Sequence, residues 1–354
     1  MRKIKYFQAI KEAQNQLLQK DKSVMIMGLG VNDPKGIFGT TKDLYKTFGN
    51  RRILETPTSE NAVTGVAIGA AIQGLRPILT HQRVEFSLLS IEQIINQAAK
   101  WHFMSAGEFN TPLVIRLIIG KGWGQGPQHS QSLETLFSHI PGLKVVAPSS
   151  AYDAKGLLVS SVRDNGPVIF FEHRWLHNIN GKVPKKLYSI PIGKGKVVQK
   201  GKDITIVSFS EALIQVLRLK NILIKCGISA EIIDLRSLRP LDKNCIIRSV
   251  KKTKRLLVVD NGWKSYGISA EIVSLVIEKL GNLKEKPIRL GIKEIPIPST
   301  RALAKECYLN SETILDSISK LTKTKIKSNI KNKFLKKLSL KETDIPYKDF
   351  QGPF

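Results

Sequence analysis

Short apolar runs alternate with longer amphipathic ones along the first half of the chain. Residues 5–21 space apolar side chains three and four apart, which predicts a helix. "SVMIMGLGV" (Ser23 to Val31) predicts a strand running into a glycine turn. Glu60 to Ile72 reads as an apolar helix closed by Gly74, "RPILTHQ" as a strand, and 87–101 as a further helix. "PLVIRLIIG" predicts a buried strand ending in a glycine loop, and "LKVVAPSS" and "GPVIFFEH" predict strands flanking a helix over 151–164.

The rhythm resumes near Lys202. "DITIVS" reads as a strand, with Ser208 and Glu211 as a capping box for a helix through Lys225. "AEIIDL", a helix over 242–250, "RLLVVD" and a helix over "SAEIVSLVIEKLG" follow. Short apolar strands alternating with helices imply an α/β chain with two open, mainly parallel sheets. The Lys-, Pro- and Gly-rich stretch 182–202 reads as a linker. The expected units are therefore 1–190 and 191–321, with a basic tail over 322–354. That tail reads as poorly structured until "DIPYKDFQGPF", whose aromatics and prolines suit an extended, docked segment.

Composition narrows the function classes. No apolar run approaches the roughly 20 residues of a membrane span, and the N-terminus lacks the apolar core of a signal peptide. Cys226, Cys245 and Cys307 are far apart and in no metal-ligand spacing, as expected of reduced thiols in a cytoplasmic protein. The net charge of +27 raises the question of nucleic acid, but the excess is partly concentrated at one end: eight lysines and no acid lie between Lys323 and Lys341. With no zinc-finger spacing and no aromatic-basic signature, the charge reads first as a solvated surface and second as a site for an acidic partner.

Three polar features interrupt the core pattern: Glu60 heading an apolar helix, Phe86 directly after a strand, and "GKGWGQGPQHSQS", in which four alternating glycines precede His129. Each has a bland explanation. An acid at a helix start complements the helix dipole, a loop histidine is usually a surface group, and an aromatic after a strand is usually core. The glycine loop lacks the Lys-Ser/Thr ending of a phosphate loop.

Their order and wording, however, resemble a family. "GNRRILETPTSENAVTGVAIGAAIQGLRPIL", "IEQIINQAAKWHFMSAG", "PQHSQSLETLFSHIPGLKVVAPSSAYDAKGLL", "RDNGPVIFFEH", "DLRSLRPLD" and "VVDNGW" look like the beta subunit of the decarboxylating component of 2-oxo acid dehydrogenases, the thiamine-diphosphate-dependent, transketolase-like group, over about residues 3–318. The resemblance implies a transketolase-like pyrimidine-binding domain followed by a transketolase C-terminal domain. It implies that Glu60 activates the cofactor by hydrogen-bonding its aminopyrimidine, that Phe86 packs on that ring, and that His129 sits beside the reacting carbon. It also implies a structural monovalent-cation loop, K+ for instance, around Leu113, Ser161, Asp164 and Gly166. The family's diphosphate and Mg2+ are held by a Gly-Asp-Gly segment, which this chain lacks. An alpha subunit in an alpha2beta2 assembly is therefore expected, and a lipoyl acyltransferase is a candidate acceptor of the acyl group.

Departures from the pattern bear on substrate. Leu29 and Gly30 stand where relatives carry an acidic pair, "THQR" places His81, Gln82 and Arg83 near the expected pocket, and Lys121 and Trp123 enlarge the glycine loop. A polar 2-oxo acid is the expected small-molecule substrate. Alternatives are an acetoin-cleaving or sugar-related thiamine enzyme and, from another class, a non-catalytic basic scaffold for nucleic acid or an acidic protein.

Overall fold

The computed structural model describes residues 1–337; the "DIPYKDFQGPF" segment lies outside the described residues. Two parallel-stranded sheets dominate. The first has seven strands in the order Ser237–Arg239, Lys144–Val146, Val168–His173, Val114–Ile119, Arg76–His81, Val24–Gly28 and Ile53–Glu55, all parallel except the outermost Ser237–Arg239. Its central strands are continuous apolar runs because helices cover both faces. Tyr6–Lys20 and Ala151–Arg163 pack on one face and Glu60–Ile72 on the other. The second sheet runs Ile288–Ile292, Leu256–Trp263, Ile204–Ser208, Ala230–Asp234 and Lys196–Gln199, the last antiparallel.

Several segments differ from the sequence-based expectation. The stretch 182–202 does more than link: Lys196–Gln199 adds an edge strand to the second sheet, while Asn180–Val183 pairs with Arg2–Lys5. The second half also returns Ser237–Arg239 to the first sheet, so the two units interlock. The helix expected over 87–101 is instead a 3₁₀ turn over Val84–Ser90, a π-type turn over Gln93–Ala98 and a short α-helix Trp101–Met104. Ser208 and Glu211 form no capping box. The Ser208 hydroxyl donates to the Val259 carbonyl at 2.8 Å, and the helix begins at Ser210 with no side-chain cap. The tail, expected to be poorly structured, forms a helix over Ser328–Lys337, because Ile330, Phe334 and Leu335 make an apolar stripe that packs on the second core.

Ion pairs tie the units together. Lys121 Nζ donates to Glu211 at 3.1 Å and lies over the rings of Trp175 and Tyr308, so it holds the second domain rather than a substrate. Arg236 pairs with Asp153 at 3.0 Å. Nearby, Glu134 is buried with one carboxyl oxygen unpartnered, and burial, helped by Asp260, pushes its pKa up to about 8. A carboxyl raised in the fold costs nothing below its ordinary range, where both states are protonated, and drains stability as pH climbs towards 8. Glu134→Gln should therefore match the parent at pH 4.5 and exceed it by up to about 4 kcal/mol at pH 8.5 in urea denaturation. An equal gap at both pH values would contradict this assignment.

Candidate active site

The carboxyl ends of the first sheet's strands converge on one edge, the side of a parallel sheet where ligands bind. Beneath that edge lies a buried polar platform. Arg116, fully buried mid-strand, grips Glu172 in a two-pronged pair (2.5 and 3.0 Å) and donates to the Thr40 hydroxyl at 2.9 Å. Burial alone would raise the Glu172 pKa, but Arg116 and His177 bring it to about 2. The strands at the edge are thereby locked to the turn around Thr40.

Glu60 is the first residue of its helix and half-buried. Its carboxyl has no hydrogen-bond or ion-pair partner among the described residues, although the helix N-terminus favours its charge. It faces a cleft with about 330 Å³ of empty space, lined also by Leu29, Thr56, His81, Gln82 and Phe86. Phe86 comes from the 3₁₀ turn after the Arg76–His81 strand. The His129 ring stands edge-on to it, centroids 5.6 Å apart, with Nδ1 buried and unpartnered. The geometry thus brings Glu60, Phe86 and His129 into one neighbourhood.

The glycine loop explains how His129 gets there. A Cβ at Gly120 would meet the His129 carbonyl and the Gln125 side chain at 2.4 Å, so only glycine lets the loop fold back over the strand end. The features expected near the pocket divide. His81 and Gln82 line the cleft, and burial lowers the His81 pKa to about 4, leaving the ring neutral near pH 7. Trp123 stands edge-on to Trp175 at 6.0 Å, and Lys121 faces the second domain. Sequence reasoning passed over Glu85. It is buried, one oxygen accepts from Gln131 N at 2.8 Å, the other has no partner, and burial raises its pKa against the pull of that bond and of His129. An acid beside a pocket aromatic was the available signal.

Leu113, Ser161, Asp164 and Gly166 gather at the opposite, amino-terminal edge. Val168 N donates to the Leu113 carbonyl at 2.9 Å, Asp164 N to the Ser161 carbonyl at 3.3 Å, and Gly166 N to the Asp164 carboxylate at 2.8 Å. Arg76 donates to the Asp164 carbonyl at 3.0 Å, and Lys144 neutralises the Asp164 carboxylate. Each of those carbonyls keeps a second lone pair, which suits a monovalent cation.

The turn at Leu29-Gly30 is structurally coupled to Gln82. Gln82 Nε2 donates to the Leu29 carbonyl at 2.8 Å, and a Cβ on Gly30, at φ +78°, would sit 2.6 Å from that same nitrogen. Glu55 holds the turn from the other side, accepting from Gly30 N and Asn32 N. Gly30→Ala should therefore cost about 1–3 kcal/mol in urea denaturation, from backbone strain and the displaced Gln82. A neutral result would show that the turn does not need glycine.

Comparison with known proteins agrees with this geometry. Residues 2–178 match the transketolase pyrimidine binding domain, and residues 193–314 match the transketolase C-terminal domain. The chain is 43% identical to the pyruvate dehydrogenase E1 component subunit beta of Porphyra purpurea, covering 90% of this chain and 96% of that one. It is 42% identical to the acetoin:2,6-dichlorophenolindophenol oxidoreductase subunit beta of Cupriavidus necator, covering 88% and 94%. It is 40% identical to the mitochondrial pyruvate dehydrogenase E1 component subunit beta-1 of Oryza sativa subsp. japonica, covering 87% and 84%. A solved split-gene transketolase, an inactive beta4 tetramer, shares the fold at a TM-score of 0.75 and 19% identity, covering 91% and 99%. Two domain matches in sequence order, near-complete coverage and a cleft headed by an unpartnered acid place this chain in the transketolase-like family, among the beta subunits of thiamine-diphosphate-dependent 2-oxo acid dehydrogenases.

Proposed function

We propose that the chain is the beta half of an alpha2beta2 enzyme that decarboxylates a 2-oxo acid and passes the acyl group to a lipoyl-bearing acyltransferase, whose disulfide takes the electron pair, or to another acyl acceptor. The observation that carries this reading is the unpartnered Glu60 carboxyl in a cleft shared with Phe86 and bordered by His129. Bound thiamine diphosphate supplies the electron sink for the pair left when a 2-oxo acid loses CO2. Glu60 would hydrogen-bond the ring nitrogen of the aminopyrimidine, and Phe86 would pack against the ring. His129, with its buried Nδ1 free, would hold the substrate carboxylate or oxyanion and move a proton during acyl transfer.

The partner reading has two supports. The sequence has no Gly-Asp-Gly segment, so Mg2+ and the diphosphate are assigned to the alpha chain. Beside the Glu60 helix, Val66, Leu89, Phe103 and Met104 expose 59%, 64%, 87% and 60% of their surface, an apolar face suited to a subunit. The acetoin oxidoreductase relative favours acetoin cleavage as a second reading. The scaffold reading loses support because Lys331, within the basic tail, is already paired with Glu312 and Asp316. A reducing compartment suits the three free cysteines; among the described residues no helix is long and apolar enough to cross a membrane. We place a structural K+ at the Leu113, Ser161, Asp164 and Gly166 loop, far from the chemistry.

In the assembled enzyme with thiamine diphosphate, Glu60→Gln should cut 2-oxo acid decarboxylation by about a hundred- to a thousand-fold, measured with an artificial electron acceptor. Full activity would end the proposal. Replacing KCl by choline chloride should lower the melting temperature by about one to two degrees, the shift that a loss of about one kcal/mol produces in a chain of this size, and an unchanged value would remove the cation from the account.

A further inference from the structure

The loop that carries His129 is held unevenly. Its first half is pinned to the rest of the chain: Gly122 N donates to the Tyr308 hydroxyl at 3.1 Å, and Trp175 Nε1 donates to the Lys121 carbonyl at 2.8 Å. Its second half, residues 127–132, belongs to no helix or strand. Among the described residues that half makes one hydrogen bond, from Gln131 N to Glu85 Oε1 at 2.8 Å. Gly122, Gly124 and Gly126, all at positive φ, give the approach to His129 little stiffness of its own.

Glu85 and Phe86 are consecutive in the 3₁₀ turn Val84–Ser90, and both reach this second half. The Phe86 ring meets the His129 ring, centroids 5.6 Å apart, and the Glu85 carboxyl takes the amide two residues beyond the histidine. The turn is itself firmly seated. Val84 is fully buried in the same core as Val63 and Ala67 of the Glu60 helix, and the Ser87 hydroxyl donates to the Val84 carbonyl at 2.6 Å. One turn therefore registers His129 against the element that carries Glu60.

A buried carboxyl is a costly way to hold a loop. Glu85 is 9% exposed, and its second oxygen is buried without a partner. Stability alone would favour an apolar side chain there. What the carboxyl adds is direction, a hydrogen bond to one particular amide, strengthened by its dry surroundings. We propose that Glu85 is a positioning residue for His129: by fixing the Gln131 amide, it sets the distance and angle at which the imidazole meets the substrate. The proposal rests on the decarboxylase reading and adds to it a residue that acts through the histidine. Misplacing a catalytic group by about 1 Å can cost about a hundredfold in rate, so one hydrogen bond on an otherwise untied segment has kinetic weight.

The test uses the alpha–beta complex with thiamine diphosphate, an artificial electron acceptor, and whichever of pyruvate, 2-oxoisovalerate and 2-oxoglutarate turns over fastest. Glu85→Ala should lower kcat by about ten- to a hundredfold, with KM and thiamine diphosphate affinity changed by less than about threefold. Glu85→Met, which keeps the volume and loses the acceptor, should behave the same way. Glu85→Gln, whose side-chain carbonyl still accepts from Gln131 N, should stay within about threefold of the parent. In a His129→Ala background, Glu85→Ala should cost less than about threefold more, because the histidine it places is already gone. Independently of turnover, amide deuterium exchange across residues 127–132 should quicken by about tenfold or more in Glu85→Ala and Glu85→Met, and stay near the parental rate in Glu85→Gln. An unchanged kcat in Glu85→Ala, or the same loss with and without His129, would overturn the inference and leave the decarboxylase reading standing. Turnover of no 2-oxo acid by a parental complex that binds thiamine diphosphate would overturn both.

Discussion

A carboxylate without a partner among the described residues is the constraint around which this molecule is organised. Glu60 heads a helix whose remaining side chains are almost all small or apolar, and its carboxyl meets a cleft instead of a basic residue. A half-buried acid with no hydrogen bond is a cost unless a ligand supplies one. In the proposed function, a donor-bearing ring entering beside Phe86 supplies it.

Everything around Glu60 holds that arrangement still. The Arg116–Glu172 pair is buried and multiply hydrogen-bonded, and it pins adjoining strand ends and the Thr40 turn at one level. Gly120 lets the loop turn back so that His129 reaches Phe86. Across the cleft, Gly30 yields its side-chain space to Gln82, which closes the turn through the Leu29 carbonyl. The 29–30 turn and Gln82 are therefore one structural unit.

Much of this was legible in the chain. The parallel sheets follow from short apolar runs separated by amphipathic ones, and the Glu60–Ile72 helix falls where Gly74 and the small apolar residues put it. What escaped was long-range. Nothing in "SLRP" announces a strand that joins the first sheet across the domain division, because strand pairing depends on which edge is open. Ser208 and Glu211 had capping-box spacing, but Glu211 was needed by Lys121, ninety positions away. The lysine density of the tail hid the three apolar residues that fold it. In the site, Glu60, Phe86 and His129 were readable through resemblance. The exposed apolar face and Glu85 were not, since each depends on residues far apart in sequence.

The most direct measurement is the rate of deuterium exchange at the acidic thiazolium carbon of thiamine diphosphate bound to the assembled alpha–beta complex. With Glu60 in place, exchange should be faster than in the free coenzyme by orders of magnitude, and replacing that carboxyl by an amide should return it to near the free rate at undiminished coenzyme occupancy. Equal exchange rates in the two bound complexes would contradict the account, because the coenzyme would then be activated by something other than this carboxylate.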